Sequence, residues 1–190
     1  MNFLADKITK EGLVIDESIL KVNHFINQQV EPEVLRFVGL EFAKYFKEKN
    51  INKILTIEAS GIAFAIATAF CFGDIPIVFA KKGQTKLSDN NYQSDVYSFT
   101  RQQSYQISVD KRLLSEKDEI LIIDDFLANG NAMKGLLEIC EQANTSINGI
   151  GIVIEKTFQS GRKKINDLGY DVYSLVKINS LKGNKIVIEE

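Results

Sequence analysis

The sequence predicts an α/β fold in which a mostly parallel central sheet is flanked by helices. Short apolar runs rich in β-branched residues alternate with longer helical segments, which is typical of βαβ units. The runs are apolar at nearly every position, as expected of strands that helices cover on both faces. The length of 190 residues suits one domain, predicted to span residues 1–190.

The elements of this sheet follow one another along the chain. Pro32 suits the first turn of a helix, and Gly73 suits the end of one. Strands are predicted at 53–58, 76–80, 119–124, 147–155 and 169–178, and helices at 31–50, 61–73 and 131–143.

Two segments lie outside this alternation. Residues 19–30 are mixed in polarity, while residues 81–95 are polar and join two β-prone stretches. Loops of this length in a compact domain often act as lids over active sites, so we expect a lid at 83–95. The stretch that follows, 96–109, is expected to form a hairpin.

The composition argues against several classes of protein. The net charge is −2 with no basic excess, so neither a nucleic-acid partner nor a membrane partner is expected. The N-terminal residues are charged where a signal peptide needs an apolar core, and the uncharged stretch 59–73 is too short to span a bilayer. We therefore expect a cytoplasmic protein with a buried helix at this stretch.

Cysteine and histidine usage is sparse. Cys71 and Cys140 are isolated and are expected to be reduced core thiols. His24 is the single histidine of the sequence, with no acidic partner expected near it, so a structural role is favoured over a catalytic triad or a multi-histidine metal site.

The motif ILIIDDFLANGNA, residues 120–132, carries the strongest chemical signal. Asp124 and Asp125 follow an apolar strand, and ligands of open α/β sheets bind at the carboxyl ends of strands. The turn then leads into a helix whose N-terminus offers backbone N–H groups to a phosphate, and Gly130 lets an anion approach closely. The carboxylates suit the hydroxyls of a ribose; the alternative is a helix-capping turn with a solvated charge pair.

This motif resembles the phosphoribosyl-pyrophosphate (PRPP) motif of the type I phosphoribosyltransferases. IEASGIA (57–63) is similar to the pyrophosphate-binding turn of that family, and VFAKKG (78–83) is similar to the basic strand end of its purine enzymes. DVYSFT (95–100) resembles the closing strand of the lid in the adenine enzymes. Residues 20–32, 96–102, 123–132 and 149–162 are most similar to the xanthine-type members.

The resemblance implies a fold, a reaction and a cofactor. It implies the type I phosphoribosyltransferase fold, with an N-terminal hood formed largely by residues 1–35 and the C-terminal part. The implied reaction is the transfer of the 5-phosphoribosyl group from PRPP to xanthine, giving xanthosine 5′-monophosphate and pyrophosphate in purine salvage. The implied cofactor is Mg²⁺, held through PRPP and water with no direct protein ligand. A homodimer is also implied.

The resemblance assigns roles residue by residue. Asp124 and Asp125 would be catalytic and hold the ribose. The residues implied to bind the 5-phosphate of PRPP are Ala128, Asn129, Gly130, Asn131 and Ala132. Those implied to bind pyrophosphate are Ser60, Gly61, Lys81 and Lys82. Those implied to contact xanthine are Leu20, Asn27 and Lys156.

Several of these assignments have alternatives. Lys81 and Lys82 also suit a solvated charge run, and Asn27 suits a polar surface turn. Lys156 suits an ion pair with Glu155 or a solvated charge. Two other functions stay open: a PRPP-sensing regulator of transcription or RNA with the same fold, and a guanine or hypoxanthine phosphoribosyltransferase.

At several positions the sequence departs from the wider family, and these departures narrow the choice of base and of phosphate-binding groups. Ala128 stands where hypoxanthine–guanine enzymes usually have an aspartate, and Thr100 stands where adenine enzymes have a glutamate. Asn129 and Ala132 replace hydroxyl residues that many relatives carry, so backbone N–H groups must contribute more of the phosphate binding.

Overall fold

In the computed structural model, which describes residues 2–83, 90–98 and 102–189, the predicted strands lie side by side in one sheet. The elements are, in chain order, α1 (Phe3–Glu11), β1 (Leu13–Ile15), β2 (Ile19–Lys21), α2 (Pro32–Phe46), β3 (Lys53–Ile57), α3 (Ser60–Cys71), β4 (Ile77–Lys82), β5 (Asn91–Ser98), β6 (Gln103–Asp110), β7 (Glu119–Leu127), α4 (Asn131–Ala143), β8 (Ser146–Lys156), α5 (Gly161–Asp167), β9 (Tyr173–Ser180) and β10 (Val187–Ile188). A π-helical turn, Asn23–Asn27, follows β2.

The main sheet is parallel in its centre and antiparallel at its edges. Within the described ranges its strand order is β10-β9-β8-β7-β3-β4-β6-β5. All pairings from β9 through β8, β7 and β3 to β4 are parallel, while β10, β6 and β5 pair antiparallel. The predicted mostly parallel α/β sheet is confirmed. Because its central strands run in the same direction, their carboxyl ends lie together along one edge of the sheet, perpendicular to the strands.

Two apolar clusters cover the two faces of the sheet. One includes fully buried Phe42 of α2 and Phe64 of α3. The other includes fully buried Leu136 and Ile139 of α4. Burying these faces is the main favourable contribution to folding, because each fully buried large apolar side chain contributes about 1.5–3 kcal/mol.

The predicted helices form close to their expected positions. α4 covers the predicted 131–143, and α2 begins at Pro32 but ends at Phe46. α3 ends at Cys71, and Gly73 adopts a left-handed φ of 92° just beyond it. The N–H of Asp74 then donates to the carbonyl of Ala69 at 2.9 Å, which satisfies one of the last carbonyls of the helix.

The strand that follows the polar segment after β4 begins earlier than the sequence predicts. β5 already begins at Asn91, so residues 91–95 of the expected lid belong to a strand. Only alternate residues of this strand are buried, among them Ser94 and Val96, which explains its polar composition. Lid residues 84–89 and Thr100 lie outside the described residues. The expected hairpin is present as β5 and β6.

The N-terminal segment contains elements that the sequence pattern did not indicate. α1 buries Leu4, Ala5 and Ile8, and Asn2 caps it by accepting a hydrogen bond from the N–H of Ala5 at 2.8 Å. β1 and β2 form a separate two-stranded sheet, with Leu20 opposite Val14.

Two sequence expectations about single residues are wrong. His24 does have an acidic neighbour, since its Nε2 lies 3.4 Å from Oε2 of Glu11. Cys140 is buried, which raises the pKa of its thiol to about 11, but Cys71 is exposed at the end of α3. Among the residues that the structure describes, no helix is both long and apolar enough to cross a membrane.

Candidate active site

Asp124 and Asp125 lie inside β7, three and two residues before its end. Both carboxylates are buried, with 4% and 9% of the residue surface exposed. Asp124 Oδ1 accepts the N–H of Asp125 at 2.9 Å, and Asp125 Oδ1 accepts the N–H of Phe126 at 3.0 Å. These bonds fix the two carboxylates, and neither of them forms the exposed capping turn that was the alternative.

The acidity of Asp124 is strongly perturbed. Burial raises the pKa of Asp124 well above its usual value, and the neighbouring charge of Asp125 raises it further. The charge of Lys82 acts in the opposite direction and lowers that pKa in part. A buried carboxylate beside a second one is unfavourable for the fold alone, and such groups cluster at functional sites.

The turn after β7 forms a cradle of backbone groups. Gly130 has a left-handed φ of 79°, and α4 begins at the next residue. The first N–H groups of a helix have no partner within it, so the start of α4 can bind an anion. The turn lines a cleft of about 200 Å³ together with Tyr97 and Tyr105 of the β5–β6 hairpin, and Asn131 Nδ2 donates to the carbonyl of Tyr97 at 2.9 Å.

The start of α3 lies against the carboxylates. A Cβ on Gly61 would be 2.2 Å from Oγ1 of Thr56 and 3.3 Å from Oδ1 of Asp124. Only glycine permits this approach, which brings the first turn of α3 beside Asp124. The two ends of the site, at α3 and at α4, therefore both present helix N-termini to the same edge of the sheet.

The structure separates the two lysines that end β4. Lys82 Nζ lies 5.4 Å from the ring centre of Tyr105, and the charge of Lys82 reaches Asp124. Lys81 lines a different cavity of about 340 Å³, with Phe79 and Arg112. Neighbouring side chains of a strand point to opposite faces, so of these two lysines Lys82 is the one on the side of the carboxylates.

Asn27 joins the N-terminal segment to the paired carboxylates. Its Nδ2 donates to Oδ2 of Asp125 at 2.7 Å. Because a carboxylate only accepts, this contact also decides which atom of the amide is the nitrogen. Within the described residues, Asn27 Oδ1 is buried without a hydrogen-bond donor. Asn27 is therefore not a solvated turn residue.

Lys156 lies at the end of β8 on the same side. Its Nζ donates to the carbonyl of Ser18 at 2.9 Å and lies 5.9 Å from the ring centre of Phe126. Burial lowers the pKa of Lys156. The alternative ion pair with Glu155 does not form, because Glu155 binds Arg162 instead.

Leu20 is placed less directly. It is 6% exposed and belongs to the apolar core of the N-terminal segment. One of its methyl groups would lie 3.1 Å from a Cβ on Gly12. Since its side chain is committed to this core, its backbone is the part that remains for a ligand.

Sequence reasoning did not single out Thr56, Tyr105 or Phe126. Thr56 is fully buried below the carboxylates, and Oγ1 has no hydrogen-bond partner among the described residues. The sequence feature that could have identified Thr56 as a site residue is its hydroxyl near the end of a predicted apolar strand. No local pattern marks Tyr105 or Phe126, because each reaches the site only through the packing of the sheet.

The known proteins that are most similar to this chain in sequence, among those compared, share one name. No family model matches the chain. A Clostridium tetani protein named xanthine phosphoribosyltransferase is 50% identical over 190 residues, covering 100% of both chains. Proteins of the same name from Finegoldia magna and Staphylococcus aureus strain JH9 are 48% and 49% identical, also over 100% of both chains.

Solved structures share the fold at lower identity. An adenine phosphoribosyltransferase from Giardia lamblia, solved with 9-deazaadenine, aligns with a TM-score of 0.76 at 22% identity over 93% of this chain and 98% of that one. The Rhodothermus marinus adenine enzyme aligns with a TM-score of 0.75 at 21% identity over 92% and 98%. These structures confirm the fold expected from the sequence.

Proposed function

The chain belongs to the xanthine phosphoribosyltransferase family, and we propose that it transfers the 5-phosphoribosyl group of PRPP to xanthine, releasing pyrophosphate. The observation that carries this proposal is the buried pair Asp124 and Asp125 between two helix N-termini. One ligand that carries a sugar and phosphates at both ends suits this arrangement. The product would be xanthosine 5′-monophosphate, formed in purine salvage.

The carboxylates and the turn would hold the phosphoribosyl group. Asp124 and Asp125 would accept hydrogen bonds from the ribose hydroxyls and stabilise positive charge that develops on the sugar in an oxocarbenium-like transition state. The N–H groups of Ala128, Asn129, Gly130, Asn131 and Ala132 would bind the 5-phosphate. Such a reaction needs little covalent chemistry, so most of the rate enhancement comes from positioning and charge.

The pyrophosphate would leave toward α3 and β4. Backbone N–H groups of Ser60 and Gly61 and the ammonium of Lys82 would bind its oxygens. Lys81 would add longer-range positive charge from the other face of β4.

The site also suits magnesium. Asp124 and Asp125 are adjacent oxygen donors, and Mg²⁺ favours carboxylate, phosphate and water oxygens over an all-protein cage. We propose that the ion is held by PRPP and water beside these carboxylates, where it would neutralise charge on the pyrophosphate.

The purine would lie between the N-terminal hood and the end of β8. Asn27 Oδ1 would accept from a ring N–H, and Lys156 would donate a charge-assisted hydrogen bond to an oxo group. Xanthine is acidic enough to be partly anionic near neutral pH, which favours a lysine at this position. Leu20 would contribute its backbone.

Three broader features complete the proposal. The hood would consist largely of residues 1–35 with the C-terminal part, and the segment 83–90 between β4 and β5 would serve as the lid. Closure of such a lid excludes water, which would otherwise hydrolyse the activated sugar. We further propose a cytoplasmic homodimer.

A panel of purines tests the function. The protein would be incubated with PRPP, magnesium and either xanthine, guanine, hypoxanthine or adenine, and nucleotide formation would be measured. We expect the highest catalytic efficiency with xanthine. Preference for guanine or hypoxanthine would reassign the base specificity, and the absence of turnover with PRPP binding intact would favour the regulatory alternative.

A further inference from the structure

Helix α5 contacts the turn 128–132 through two consecutive backbone carbonyls. The N–H of Gly161 donates to the carbonyl of Ala128 at 2.9 Å. Lys164 Nζ donates to the carbonyl of Asn129 at 3.0 Å. The turn is therefore held from outside by a helix that sequence reasoning did not assign to the site.

These two bonds decide where the N–H groups of the turn point. The peptide bonds after Ala128 and Asn129 are trans, so each carbonyl points opposite to the N–H of the following residue. Because both carbonyls face α5, the N–H groups of Asn129 and Gly130 face away from it. An anion bound by these two N–H groups would therefore lie on the side of the turn away from the two bonds.

The contact between helix and turn is close. A Cβ on Gly130 would be 3.0 Å from Cα of Gly161, and a Cβ on Gly161 would be 2.4 Å from the carbonyl oxygen of Ala128. Two glycines thus let the two backbones come into contact. A shift of α5 would therefore move the turn as well.

An ion pair between half-buried Arg162 and buried Glu155 anchors the start of α5. Arg162 Nε donates to Oε1 of Glu155 at 2.6 Å, and Arg162 Nη1 donates to the carbonyl of Val172 at 3.0 Å. Glu155 is 1% exposed and also accepts from Ser174 Oγ at 2.5 Å. The helix that supports the turn is therefore tied to β8 and β9.

The turn itself contains no cationic residue. Its sequence, ANGNA, supplies neither lysine nor arginine, nor a side-chain hydroxyl. Asn131 Nδ2 is already bonded to Tyr97. Among the residues that the structure describes, Lys164 is a cation that bonds directly to the backbone of this turn, and a charge on a peptide carbonyl strengthens the N–H of the same peptide as a donor.

We propose that Lys164 is a positioning residue for the 5-phosphate site, acting through the Asn129–Gly130 peptide. This inference rests on the proposed function, in which residues 128–132 bind the 5-phosphate of PRPP. Lys164 orients the Gly130 N–H and adds positive charge beside a phosphate that carries nearly two negative charges.

Two probes separate this site from the rest of the molecule. Ribose 5-phosphate tests the turn at α4, and inorganic pyrophosphate tests the opposite end at α3. Their affinities would be measured by calorimetry for the wild type, Lys164→Ala and Lys164→Arg. Lys163→Ala is the matched control, because Lys163 lies on the same helix, is exposed and pairs with Asp167 at 2.7 Å.

We expect Lys164→Ala to bind ribose 5-phosphate about three- to tenfold more weakly, the loss typical of one hydrogen bond, with pyrophosphate affinity unchanged. Lys164→Arg should restore most of the affinity, and Lys163→Ala should match the wild type. Unchanged ribose 5-phosphate affinity in Lys164→Ala, or an equal loss for both probes, would overturn the inference. A wild-type protein that binds pyrophosphate but not ribose 5-phosphate would instead contradict the role proposed for the turn.

Discussion

Among single side chains, Asp124 shows most clearly a conflict between folding and function. Its carboxylate is buried beside Asp125, and burial together with that neighbouring charge raises its pKa. Ionising Asp124 therefore costs more free energy in the folded protein than in the unfolded chain. A raised carboxyl pKa means that this cost is absent at low pH, and that it grows as the pH rises above the ordinary aspartate pKa.

We predict that Asp124→Asn stabilises the protein while greatly reducing turnover. The amide keeps an acceptor for the N–H of Asp125 but carries no charge. Thermal and denaturant unfolding near neutral pH should show a gain on the order of 1–3 kcal/mol. The gain should shrink as the pH falls toward about 4, where wild-type Asp124 is protonated as well.

A second variant tests the ribose-binding role of the two aspartates. The double variant Asp124→Asn, Asp125→Asn should fold and should lose most of its phosphoribosyl transfer. Near-normal catalysis by this variant would show that the pair does not serve PRPP, whatever its effect on stability.

We predict that Lys156→Ala weakens the use of xanthine about ten- to a hundredfold, the loss expected of a charge-assisted hydrogen bond. Catalytic efficiency would be compared at saturating PRPP. Lys177→Ala is a suitable control, because Lys177 forms an exposed ion pair with Glu189, which follows β10. An unaltered efficiency in Lys156→Ala would place the base elsewhere.

We predict that Asn27→Ala narrows the preference for xanthine over hypoxanthine. Its Oδ1 is an acceptor held in place by the bond from Nδ2 to Asp125. Efficiencies for both purines would be measured in parallel. A ratio equal to that of the wild type would contradict base recognition by Asn27.

At the level of helices and strands, the start of β5 changes how the lid should be tested. A deletion of 84–94, which the polar composition suggests, would remove the first residues of β5 from Asn91 onward. We predict that deletion of 84–89 alone leaves a folded protein with sharply reduced transfer, and with more PRPP hydrolysis relative to transfer. Unchanged kinetics in this variant would remove the segment from the mechanism.

The ion pair that anchors α5 should also stabilise the fold. Burial tends to raise the pKa of Glu155, but hydrogen bonds from Arg162 and Ser174 outweigh it and the pKa is lowered. We predict that Glu155→Gln costs roughly 1–3 kcal/mol of unfolding free energy at neutral pH. Because the folded-state pKa of Glu155 is lowered, this stabilisation is full above the unfolded pKa of about 4.3, so the difference should shrink as the pH falls below that value and disappear once it is below the lowered folded value.

For the chain as a unit, exposed apolar side chains on α2 and α3 suggest how two copies would meet. Phe70 is 72% exposed, Leu40 54% and Ile66 40%. We predict a dimer by light scattering, and a monomer for Phe70→Asp, because a charge in a buried apolar interface is costly. Leu168→Asp, at an exposed position after α5, is the control. A monomeric wild type would contradict the homodimer.

The sequence by itself determined the parallel sheet and the position of the motif at its edge. Runs of β-branched residues and the 131–143 helix are local patterns, and local patterns report periodicity directly. The paired aspartates at residues 124 and 125 could also be predicted as site residues from the sequence. Burying two charges at the end of an apolar strand costs free energy, which indicates that a ligand requires them.

Only the tertiary structure decided which distant residues meet at that edge. It brought Asn27 to Asp125 across 98 positions of sequence. It also placed Lys164 against the turn at Asn129. Such contacts depend on how sheet and helices pack, and no short-range pattern encodes them because the free energy of each contact depends on the whole assembled core.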